Sequence, residues 1–159
     1  MVLGMSLHVF TILHTLISVV ELVAGALVVL ALMQGERSRL TGFFLAMAAL
    51  TSVTGFLFPF HGVTPGIKLG VVTLVSAGIA ALALYSFSLR GAWRRTFAIC
   101  IVITLYFDAF VAVVQAFEKI AMLHALAPTG KGLPFAVAQG LVLLGFLYIG
   151  FVSVKRFRL

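Results

Sequence analysis

Two carboxylates stand inside stretches apolar enough to cross a bilayer: Glu21 within Leu7–Met33 and Asp108 within Thr96–Met122. A charge at the bilayer centre costs about 2.5–3.5 kcal/mol on insertion scales, so such residues face protein or water and mark proton and ion paths. Neither acid is isolated. At about 100° per residue, Cys100, Thr104, Asp108, Gln115, Glu118 and Met122 fall within a stripe roughly 80° wide. His14, Ser18, Glu21 and Gly25 share a second face, because offsets of four, seven and eleven residues return to nearly one angle.

If the two helices run antiparallel, a rise of about 1.5 Å per residue puts Asp108 between His14 and Glu21 in depth. No Lys or Arg stands at that depth in any apolar stretch. The sharper reading is a proton- or cation-handling pair, Glu21 and Asp108, with His14 as relay. The plainer reading is two neutral acids that hydrogen-bond Thr, Ser or His between helices. Either way the sequence predicts a polar seam of His14, Ser18, Glu21, Thr104, Asp108 and Gln115 between the first and fourth spans. A second group, His8, His61, Glu118 and His124, maps to one rim. Imidazole and carboxylate suit a metal there, and two histidines on different helices suit a haem. No HxxxH or HExxH spacing supports either, and no cofactor is required by the sequence. The single cysteine, Cys100, excludes an intrachain disulfide and any multi-cysteine cluster. Catalysis has little support: there is no nucleophile elbow and no glycine-rich phosphate loop.

The elements that must position these residues follow from composition. Of 159 residues 63% are hydrophobic and 9% charged, against about 25% charged in soluble domains. This is the composition of an integral membrane protein whose main partner is the lipid bilayer. The net charge of +7 does not indicate nucleic acid, because the cations cluster between apolar runs. The sequence predicts one all-α bundle over residues 1–159, with five spans at about 7–33, 41–58, 67–89, 96–126 and 135–154. The first is too long for a signal-peptide core and lacks a basic leader, so it is expected to be retained. QGERSR, Pro59 with HGVTPG, RGAWRR and APTGKGLP punctuate the spans. Thr96 is the expected cap of the fourth span, and Pro134 is placed to open the fifth. Arg37, Arg39, Arg90, Arg94, Arg95, Lys155, Arg156 and Arg158 fall on one side, and only Lys68, Lys119 and Lys131 on the other. The positive-inside rule then puts the N-terminus outside and the C-terminus in the cytoplasm. Small residues mark packing faces: Gly66, Gly70, Thr73, Ala77 and Ala81 on the third span, and Ala48, Ser52 and Gly55 on the second. The fifth span carries Gly140, Gly145 and Gly150, and the Gly-rich faces of the third and fifth spans leave room for a homo-oligomer.

The phrases TSVTGFLFPFHGVTP, GAWRRTF, LYFDAFVAVVQAF, HALAPTGKGLPFAVAQG and VKRFR resemble a widespread set of small bacterial multi-pass inner-membrane proteins to which no activity is attached. The resemblance covers most of the chain and includes His14, Gly25, Gly55, Pro59, Gln115, Pro128 and Gln139. It implies a bacterial inner-membrane location and no particular chemistry. Where this chain has Asp108 the set carries an amide, and where it has Glu21 a small residue. The two acids are therefore expected to compensate each other across spans one and four. Three functions remain open from the sequence: a small transporter, channel or transport accessory, which the polar seam favours; a haem or metal redox protein using the rim histidines; and a structural or assembly subunit.

Overall fold

The computed structural model describes residues 1–59 and 62–158. Helix α1 runs Leu7–Met33, α2 Thr41–Phe56, α3 Pro65–Ala81, α4 Trp93–Lys119, α5 Ala121–Leu126 and α6 Leu133–Arg156. Among the described residues there is no strand. Four helices are long and apolar enough to cross a membrane: α1, α3 with the π-helical segment Leu82–Ser86 that extends it, α4 and α6. The fifth, α2, has 16 residues. At about 1.5 Å per residue it is roughly 24 Å long, short of a hydrocarbon core of about 30 Å.

The helix ends show which local signals act. Ser6 caps α1 by accepting from the Val9 amide at 3.3 Å, and Thr64 caps α3 through Ile67 in the same way. Pro134 lies in the first turn of α6, which starts at Leu133. Helix α1 stops in a Schellman turn: Gly35 has φ +87°, Gly35 N–H reaches Leu32 O and Glu36 N–H reaches Ala31 O. That glycine is required twice over, because a Cβ on it would come within 3.0 Å of the Arg156 carbonyl at the end of α6.

Predicted boundaries are corrected in the second to fifth spans, the fifth running Leu133–Arg156 where 135–154 is expected. The second helix ends at Phe56, inside GFLFPF and two residues short of the predicted end at 58. The third starts at Pro65, and its α geometry ends at Ala81 with Leu82–Ser86 wound as a π turn. The fourth begins at Trp93, three residues before Thr96. Its cap position, Ala92, offers no side-chain bond, and the Thr96 hydroxyl instead donates back to Ala92 O within the first turn. It does not continue to 126: Ile120 is extended (φ −90°, ψ 115°) and separates α4 from α5.

Helices α1 to α4 form a ring in which each packs on the next and α4 closes on α1, while α6 lies outside across α4 and α1. Neighbours in the ring are antiparallel. Early α1 meets late α2 through His14 and Thr54, and Gly25 on α1 meets Phe44 on α2. Gly70 on α3 packs on Phe56 and Gly42 on Tyr85. Gln139 reaches Phe110, and Phe97 meets Phe157. This gathers the segments carrying the eight clustered cations at one end, the basic end. The core is divided along its length. Toward the basic end it is apolar, with Val28, Leu32, Phe44, Phe97, Ile101 and Phe157 fully or almost fully buried. Midway along, it becomes polar.

Candidate functional site

Each ring helix contributes polar side chains to this middle layer. Glu21 on α1 is 1% exposed and Asp108 on α4 is 8% exposed. Gly25 on α1 packs against Leu105 on α4, so in this antiparallel pair Glu21 and Asp108 each stand about one turn further along, at the same level. Thr51 of α2 adjoins the Glu21 carboxyl. Yet neither Glu21 oxygen has a hydrogen-bond partner, and Thr51 Oγ1 and Asp108 Oδ2 have none either. Buried polar groups are paired in the great majority of cases. Four unpartnered oxygens in one layer therefore leave hydrogen-bonding capacity unused between α1, α2 and α4.

Two flanking groups are satisfied. Beside Asp108, one turn earlier on α4, the Thr104 hydroxyl donates to Cys100 O at 2.8 Å. The Ser76 hydroxyl of α3 bonds the same Thr104 oxygen, with Cys100 O also within its reach at 3.3 Å. On the other side, His14 is half-buried and its Nδ1 meets Thr54 Oγ1 at 2.7 Å. Thr54 already donates to Leu50 O at 2.7 Å, so the imidazole is assigned as the donor to it. The ring of Phe58 stands edge-on to His14 with centroids 5.2 Å apart. Gly55 lies beneath it, where a Cβ would come within 3.5 Å of Cε1. Lys119, at the end of α4, lies within electrostatic range of the same imidazole.

Toward the basic end the layer is closed. Gly25, one turn beyond Glu21, is the seat of two side chains: a Cβ there would lie 2.5 Å from Leu105 and 2.6 Å from Phe44. These residues belong to the apolar half of the core. The polar layer thus faces His14 and the rim on one side and a packed apolar floor on the other.

The sequence-derived seam divides in this structure. His14, Glu21, Thr104 and Asp108 join the middle layer. Ser18 is half-buried and its hydroxyl is used on its own helix, donating to His14 O at 3.1 Å. Gln115 is half-buried two turns away, and its amide points to Glu118 at 3.4 Å on the exposed rim. The stripe on α4 is buried from Cys100 to Asp108, whereas Met122 is 81% exposed. Of the proposed metal ligands, His8, Glu118 and His124 are exposed, and His61 lies outside the described residues. Among the described residues no three His, Cys, Asp or Glu side chains gather as a metal site would require. Sequence reasoning missed Thr51, Thr54 and Ser76. Their one signal is a hydroxyl at helical spacing from another, Thr51 with Thr54 and Thr73 with Ser76. It is a weak signal, because such hydroxyls commonly bond their own helix backbone.

No protein-family model, curated protein or solved structure matches the chain.

Proposed function

We propose that this protein is a small membrane transport protein or transport accessory whose Glu21–Asp108 pair takes up a proton or a small cation. The observation that carries the reading is the pair itself: two buried carboxyl groups on helices that pack on each other, three of their four oxygens without a hydrogen-bond partner, and no Lys or Arg among the described residues of the same layer. Two like charges brought together out of water are held only by sharing a proton or a cation. His14, bonded to Thr54 and nearer the rim, is the relay through which that species arrives. Phe44 and Leu105 over Gly25 are the barrier to its leaving at the basic end, and net transport needs that seat to open.

In this reading the chain crosses a bacterial inner membrane five times, with the short α2 as a crossing, the N-terminus outside and the basic end in the cytoplasm. The sorting of eight cations to one end supports that orientation, and the resemblance to small bacterial inner-membrane proteins supports the location. Flux into liposomes containing the purified protein tests the function. The wild type is expected to pass protons or a monovalent cation, with Glu21→Gln and Asp108→Asn each lowering the rate at least tenfold. A wild type no leakier than empty liposomes would leave the structural-subunit reading in its place.

A further inference from the structure

Beyond the polar layer, the structure assigns a binding site for an anionic phospholipid to the outer groove between α4 and α6. The groove has a volume of about 1020 Å³, at the upper end of the roughly 300–1,000 Å³ typical of ligand pockets. One end is basic and the rest is apolar. Arg94 and Arg95 from the start of α4 and Lys155 and Arg158 from the end of α6 line its mouth, and none of the described residues lining it is acidic. Arg94 Nε is itself buried and has no hydrogen-bond partner. Arg158 is steadied by its Nε bond to Lys155 O at 3.2 Å, and Lys155 Nζ stands 5.7 Å over the Phe151 ring.

The dimensions fit one leaflet. From Arg94 to Phe107 the groove follows α4 for about 20 Å at about 1.5 Å per residue. Half of a hydrocarbon core of about 30 Å is about 15 Å. A phosphate at the four cations therefore leaves its acyl chains lying along the apolar wall to just beyond the bilayer midplane. Gly150 helps to make the room: it packs on α4 with no side chain of its own, and a Cβ there would touch Val102 at 3.6 Å. Basic pockets between membrane helices are established sites for anionic headgroups. The occupant is thus a lipid with a phosphate monoanion or dianion in its headgroup and no compensating ammonium.

Native mass spectrometry of the detergent-purified full chain tests this, with phosphatidylglycerol and phosphatidylcholine of identical acyl chains as probes. The anionic lipid is expected to be retained at least fivefold more than the zwitterionic one. Replacing Arg94, Arg95 and Lys155 by Gln should cost about fivefold per cation removed, while Arg37→Gln with Arg39→Gln, at the same end but off the groove, should change retention less than twofold. Leu147→Trp, which fills the groove without altering charge, should lower retention of both lipids. Equal retention of the two lipids, or an equal loss in the Arg37/Arg39 variant, would overturn the site in favour of general attraction to the basic end. A dimer that disappears on Leu147→Trp, with no lipid bound to wild type, would overturn it in favour of a second copy of the chain. Variants that run as the wild type does on size exclusion are folded enough for the comparison.

Discussion

A hydroxyl and a carboxyl in this core do opposite things. Ser76 and Thr104 complete each other's hydrogen bonding and tie α3 to α4. Interhelical bonds of this kind average about 0.6 kcal/mol in membranes. Ser76→Ala is expected to cost about that much in unfolding from mixed micelles and to leave flux intact. Glu21 and Asp108 gain no such partner for their free oxygens, so their neutral isosteres should be more stable than the wild type. Asp108→Asn is expected to stabilise the fold by about 1 kcal/mol, the usual sign when a strained functional group is removed. A destabilisation of that size would mean that the carboxyl serves the fold. The acids were visible in the sequence because charge inside an apolar run is rare and helical periodicity aligns it with its neighbours. Thr51 and Ser76 were not, because a stripe on one helix carries no information about which residue of another helix it meets.

At the scale of elements, the two faces of α1 and α4 are organised by one small residue. Gly25 lets Phe44 and Leu105 close under the acids. Gly25→Val puts a branched side chain into occupied space, and overpacking of this kind typically costs about 1–3 kcal/mol. Thermal unfolding in detergent should report that loss, and an unchanged midpoint would show that the seat is already loose. Thr64→Ala removes the cap of α3 and is expected to cost about 1 kcal/mol in the same assay. The bounds of α1 were legible because Ser6 opens it and a glycine turn closes it around a continuous apolar run. The π turn at Leu82–Ser86 and the break at Ile120 were not. The residues of the π turn are as apolar as their neighbours, so hydropathy does not distinguish them. The break at Ile120 follows the charged Glu118 and Lys119, but a charged pair marks the end of an apolar run and not the end of a helix, and no Pro or Gly stands there. Gln115 fell outside the layer because angular alignment along a helix does not guarantee burial: by that turn α4 has reached the half-exposed end of the bundle.

The whole molecule is polarised along its axis. Eight cations mark one end, an apolar floor follows, the carboxyl layer lies midway, and His14 with Lys119 faces the other end. The ring of α1 to α4 surrounds that layer, so its two acids come from helices distant in sequence and meet only when the bundle is assembled. That meeting is the centre of the account, and a double-mutant cycle on global unfolding measures it directly. Glu21→Gln and Asp108→Asn each remove one carboxyl of the same pair, so the second substitution acts on a pair that the first has already broken. The account predicts that the double variant differs from the sum of the singles by about 1 kcal/mol or more, within the range of about 0.5–3 kcal/mol for contacting residues. Additivity within about 0.3 kcal/mol, the behaviour of independent sites, would contradict it.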